Sequence, residues 1–269
     1  MAKGISIHIG LNYVDPDHYN GWDGKLNACE YDARDMKLIA DSEGFQSSIY
    51  LREEATRQKV IEAIQDTTTN LDSGDILFIS YSGHGGQVPD LNSDESDSQD
   101  ETWCLFDGEL IDDELKYLWS KFREGVRILV ISDSCHSGTI TKEARNESIR
   151  YTDKTPRYMP VEVAAATYFT NKDFYDELGS NIRSVERSAV NATVKLISGC
   201  QDNQYSYDGT FNGQFTGKLK AVWNGGAFGG NYYQFHKLIT NSLPQYQTPN
   251  YLTFGKDNST FDNQKPFTI

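Results

Sequence analysis

The sequence lacks most features that settle a protein's class at a glance. Its 269 residues include only four cysteines, Cys29, Cys104, Cys135 and Cys200, widely spaced and with no C-x-x-C pair. That disfavours both a disulfide framework and a structural zinc knuckle. The default state of each thiol is then a small buried hydrophobe. No apolar run approaches the ~20 residues that span a bilayer. The opening stretch MAKGISIHIG lacks the apolar core and cleavage site of a secretory signal, so the cytoplasm is the expected location. Basic residues are scarce, 25 against 39 acidic ones, for a net charge of −14. Phosphate is repelled by such a surface, which argues against a nucleic-acid partner and suits a cationic substrate or a bound cation.

What is present is strand–helix alternation. Ile5, Ile7, Ile9 and Leu11 alternate with polar or small residues, as in a half-buried strand. Leu26, Cys29, Ala33, Met36 and Ala40 form one helical stripe, closed by Gly44. A strand is expected over 45–52 and a helix from Thr56 to Leu71. Ile76–Ile79 and residues 126–132 are continuously apolar, the mark of strands covered on both faces. Residues 90–101 read as an acidic loop, 102–111 as a hairpin, and Asp112 as the cap of a helix running to Lys121. One helix is expected near 161–178, a third apolar strand over 193–199, helices around Phe211–Val222 and Tyr232–Leu238, and a last strand in QTPNYLTFG. This order predicts an α/β fold with a mostly parallel central sheet of about six strands and helices on both faces. No composition break calls for a second domain, so 1–269 is read as one, with a long insert at about 136–190, and as a monomer.

Two apolar strands end in polar clusters flanked by glycine, Ser82-Gly83-His84-Gly85-Gly86 and Asp133-Ser134-Cys135-His136-Ser137-Gly138. Sites in parallel sheets form beyond the C-terminal strand ends, and neighbouring strands lie ~5 Å apart. His84 and Cys135 are thus placed to face one reacting carbonyl. A thiolate is the nucleophile, an imidazolium beside it lowers the thiol pKa, and the same ring can protonate a leaving amine. Backbone N–H groups of Gly85 and Cys135 are candidates to hold the oxyanion.

YSGHGG at 81–86 and DSCHSG at 133–138 resemble the His and Cys motifs of metacaspases and their bacterial relatives, the orthocaspases, in the caspase–clostripain clan. LNACEYDA at 26–33 and SGCQDNQYSYD at 198–208 are similar to two further segments of that family. The resemblance runs from about residue 4 to the C-terminus and implies a caspase-like fold, a Cys-His dyad, no cofactor in the chemistry, and cleavage of proteins or peptides after Arg or Lys. It also implies a primary pocket built from Cys29, Asp32, Ser82 and Asp133. Physics is compatible with that set: two carboxylates in one pocket repel unless a cation enters, and a guanidinium binds carboxylates bidentately. Taken singly, Asp32 also reads as a surface helix residue and Asp133 as a helix cap.

Calcium-dependent members bind the ion through aspartates matching Asp100, Asp112 and Asp113, whereas Lys142 stands near the place of a further family aspartate. The run Asp90, Asn92, Asp94, Ser96, Glu101 only superficially resembles an EF-hand loop, because Glu95 replaces its glycine. Two rival readings are a scaffold on an inactive fold of this kind and a metal hydrolase using His84, Cys135 and His136. Finally, the chain begins almost at its first strand, so control by an N-terminal segment is not expected. Lys142, Arg145, Arg150, Lys154 and Arg157, in a polar stretch, are instead candidate points of self-cleavage.

Overall fold

The continuous apolar runs lie at the centre of a sheet in the computed structural model, which describes residues 2–90, 99–135, 155–185, 189–201 and 204–269. The strands are β1 (Gly4–Gly10), β2 (Gln46–Leu51), β3 (Ile76–Ser82), β7 (Arg127–Asp133), β8 (Thr193–Ser198) and β9 (Asn250–Gly255). Their order is β2-β1-β3-β7-β8-β9, parallel throughout except for the antiparallel edge strand β9. Every residue of β3 and β7 is buried. Side chains of a strand alternate between faces, and each face has its own core. Leu77, Ile79, Ile128 and Val130 pack with helix α2 (Arg57–Asn70) and helix α3 (Asp112–Ser120). Phe78, Leu129, Ile131 and Ile197 pack with helices α1 (Cys29–Ser42), α6 (Gln214–Trp223) and α7 (Tyr232–Ser242). Burying each such side chain contributes roughly 2 kcal/mol.

The polar face of β1 is also buried. His8 is fully covered, its ring nitrogens 2.8 Å from Ser80 Oγ and 2.9 Å from Ser6 Oγ. Hydroxyl partners let a strand with amphipathic alternation sit inside the sheet rather than at its solvent edge.

Four features differ from the sequence reading. Gly85–Pro89 forms strand β4, which pairs antiparallel with β5 (Gln99–Leu105), itself paired with β6 (Gly108–Ile111). Asp100 and Glu101 therefore belong to a strand, not to an acidic loop. The helix expected near 161–178 is two, α4 (Val161–Thr170) and α5 (Lys172–Val185). Asn171 separates them, its side-chain N–H donating to the carbonyls of Thr167 and His18. A short helix α8 (Ser259–Asn263), capped by Asn258, was not anticipated. Asp112 opens α3 as its first helical residue, with Ile111 as the N-cap.

Candidate active site

β3 and β7 are parallel neighbours, in register so that Ser82 faces Asp133. His84 and Cys135 lie just beyond these two strand ends, on the same edge of the sheet.

His84 is fixed from several sides. Its Nε2 lies 2.9 Å from the Gly24 carbonyl, so Nε2 carries the proton and donates it. That leaves Nδ1 as the basic nitrogen; it is buried and has no hydrogen-bond partner. Trp22 covers the ring at 4.7 Å between centroids. Gly24 has φ +55°, and a Cβ there would come within 2.9 Å of Trp22 and 3.1 Å of His84, so only glycine fits. Beneath the histidine, the Tyr81 hydroxyl donates to the His84 carbonyl at 2.6 Å, and Tyr81 stacks on Trp103. Burial pushes the imidazole pKa down to about 4. The resting ring is thus neutral, a proton acceptor rather than the imidazolium expected from sequence. Cys135 is fully buried, its sulfur against the backbone of Ser206, whose N–H donates to it.

The pocket is already filled by the chain itself. Arg157 is fully buried, and its guanidinium reaches Asp32 at 2.7 Å, Asp133 at 2.9 Å and Asp208 at 3.1 Å. It also donates to Ser82 Oγ at 2.8 Å. The Arg157 carbonyl oxygen accepts N–H bonds from both Gly85 and Cys135, each 3.1 Å long. Cys29 is buried beside them, and that burial raises the pKa of its thiol. His84, Gly85, Cys135 and all four pocket residues named from the family motifs therefore gather around one arginine.

The carboxylates are held by more than charge. Asp133 accepts from Ser206 Oγ at 2.5 Å and from the N–H and hydroxyl of Thr216, in the first turn of α6. Asp208 accepts the N–H groups of Asn27 and Ala28 at the start of α1. Two helix N-termini thus favour negative charge here. Asp32 takes Asn212 Nδ2 and the Gly213 N–H. A Cβ on Gly213 would lie 2.5 Å from Asp133 and 2.7 Å from Arg157, so glycine is needed for this close approach. Burial pushes Asp32 up to about 6, opposed by Arg157 and reinforced by Asp133. Asp32 is 1% exposed, so it is not the surface residue that it suggested alone, and the chain that directly follows Cys135, where a helix capped by Asp133 was expected, lies outside the described residues.

Asp208, Asn212, Gly213 and Trp22 were not identified from sequence. Asp208 lay within the quoted motif at 198–208; the others carried no local signal. For the calcium candidates the fit is poor. Asp100 is buried in β5 and Asp113 lies 4.0 Å from Lys116 Nζ, and among the described residues no three His, Cys, Asp or Glu side chains cluster as a metal would need. His136, Lys142, Arg145, Arg150 and Lys154 lie outside the described residues.

A family model of the metacaspase, peptidase C14 domain matches residues 6–143. The chain belongs to the metacaspase family. This metacaspase is 33% identical to Metacaspase-1 of Schizosaccharomyces pombe over 90% of the chain, and 30% identical to Metacaspase-1 of Saccharomyces cerevisiae over 80%. It spans 61% and 56% of those two proteins. The crystal structure of protein GSU0716 from Geobacter sulfurreducens superposes with a TM-score of 0.90 at 53% identity, covering 99% of both chains. The family match extends through both strand-end clusters, and the structural match extends the likeness across α4–α7.

Proposed function

We propose that this metacaspase is a cysteine endopeptidase that cleaves proteins or peptides after Arg or Lys. The observation that carries this reading is Arg157, whose side chain meets three carboxylates while its carbonyl oxygen accepts two strand-end amides. A substrate residue bound in the same way presents its carbonyl carbon to Cys135. The sulfur adds to that carbon and its proton passes to Nδ1 of His84. The amides of Gly85 and Cys135 hold the oxyanion, having no reorganisation left to make. His84 returns the proton to the departing amine, leaving a thioester that water hydrolyses. Arginine is favoured over lysine, because a planar fork serves several carboxylates and an ammonium is a point charge.

Calcium activation through Asp100, Asp112 and Asp113 rests on family resemblance alone, and no step here is routed through the ion; reporter hydrolysis across a calcium and chelator titration tests it. The central test is a thiol-reactive affinity label built on an arginine peptide. Stoichiometric loss of activity with label on Cys135 is expected. Activity that survives labelling, or that yields only to chelators, overturns the reading.

A further inference from the structure

We infer that Trp103 is a positioning residue for both members of the catalytic pair, holding the Cys135 turn through Ser132 and Ser134 and the His84 turn through Tyr81. The inference rests on the peptidase reading above and adds to it a residue of the small sheet that neither strand-end motif contains.

Trp103 lies in β5, opposite Gly85 of β4. Its indole N–H donates to Ser132 Oγ at 3.1 Å, and Ser132 Oγ lies 2.8 Å from Ser134 Oγ. An indole nitrogen only donates, so Ser132 is the acceptor there and keeps its own proton available for the link to Ser134. All three side chains are buried, and Ser134 is the residue before Cys135. Hydrogen bonds in a row, out of water, strengthen one another. The same indole serves the histidine. Tyr81 stacks on it, with ring centroids 4.6 Å apart and planes 8° apart. The Tyr81 hydroxyl donates to the His84 carbonyl at 2.6 Å, and that oxygen also accepts the Cys104 N–H at 3.0 Å, from the residue after Trp103. A Cβ on Gly83 would lie 2.5 Å from the Tyr81 hydroxyl, so glycine there lets the His84 turn close onto the tyrosine.

A tryptophan kept only for its bulk can give its N–H to any nearby acceptor. This one gives it to a chain of hydroxyls that ends beside the nucleophile, and it stacks on the residue that holds the base. Proton transfer to Nδ1 and attack on the carbonyl need both groups in place at once, and a misplacement of about 1 Å costs on the order of 10²-fold. Two turns fastened to one rigid ring have their mutual distance fixed, not only their separate conformations. Substrate binding has its own supports. Asp32 is held by Asn212 and Gly213, Asp133 by Ser206 and Thr216, and Asp208 by Asn27 and Ala28. Loss of the link therefore falls on the chemical step and not on binding.

The test uses the full-length chain. It reads kcat and KM on an Arg-terminated peptide reporter, the rate of inactivation by an arginyl chloromethyl ketone peptide, and the urea midpoint. Trp103→Phe keeps the stacked ring and removes the N–H; Ser134→Ala removes the far end of the chain at the cost of one oxygen. Each is expected to lower kcat and the inactivation rate about tenfold, with KM within about twofold of wild type. The double variant should lose no more than about tenfold, since one chain is broken once. Tyr81→Phe loosens the other turn and should lower kcat by a similar factor at unchanged KM. A kcat within about twofold of wild type in these variants, a loss that falls on KM, or losses that multiply in the double variant overturn the inference and leave the peptidase reading standing. If the urea midpoint shows that Trp103→Phe does not fold, Ser134→Ala and Tyr81→Phe decide by the same criteria. A wild type with no activity on the reporter overturns both readings.

Discussion

Asp32 and Arg157 meet at 2.7 Å with neither side chain reaching solvent. Without water to screen them, the attraction is strong and so is the penalty for breaking it. Asp133 and Asp208 remain after Asp32→Asn, so the pocket keeps a net negative charge. We expect that substitution to lower kcat/KM for an Arg-terminated reporter by about 10–100-fold, or roughly 1.4–3 kcal/mol, mainly through KM. A reporter with a neutral residue at the cut should change little. Steady-state kinetics on the two reporters checks this, and an equal loss on both sinks it.

The same carboxylate sets a pH dependence. Asp32 lies at about 6 with Arg157 in place, and Arg157 acts to lower it. An emptied pocket therefore holds Asp32 at or above that value. Above it the carboxylate is ionised and binds a cation; below it protonation removes one charge. KM for an arginine reporter should rise as pH falls from 7 to 5, and the rise should be shallower in Asp32→Asn.

The chemistry predicts an unequal series. Cys135→Ala should abolish hydrolysis, since the thioester cannot form. His84→Ala should lower kcat by about 10²–10⁴-fold, the usual range for loss of a general base. His136→Ala should retain substantial activity, because its neighbour already supplies the nucleophile. Measured kcat values that invert the two histidines would reassign the base.

His8 makes a separate prediction about stability. Burial depresses its pKa from 6.5 to about 3. Between these values the unfolded chain binds the proton and the folded one does not, so stability falls as pH drops below 6.5 and the loss levels off near 3. At pH 4 the cost is on the order of 3 kcal/mol. His8→Gln keeps hydrogen-bonding capacity for Ser6 and Ser80 without titrating. In a Cys135→Ala background, its urea midpoint should fall less from pH 7 to pH 4 than that of the parent.

Much of this is legible in the sequence. β3 and β7 are buried on both faces, so their apolar runs stood out, and chemistry at their ends followed from the topology of parallel sheets. β4 was missed because Gly85-Gly86-Gln87-Val88-Pro89 carries the composition of a turn; its strand pairing comes from β5, which begins ten residues further along the chain at Gln99. Asn171 hid the break between α4 and α5, since asparagine is tolerated inside a helix and its capping bond to His18 is a long-range contact. Asp208 was hidden for the same reason: its partners, Asn27 and Ala28, are far away in the chain. Arg157 stood out as one of several cations in a polar stretch, but nothing local distinguished it from the other four. Its partners Asp32, Asp133 and Asp208 come from three separate segments.

The order of the strands has a practical consequence. β7 precedes Arg157, one of the candidate points of self-cleavage, and β8 follows it, yet the two strands are adjacent in the middle of the sheet and paired along their whole length. A nick between them severs the backbone without separating the halves. The two pieces should elute together from a sizing column, melt as one unit, and carry a tag on either end through purification. Gel mobility after denaturation will register the event, and native mobility will not.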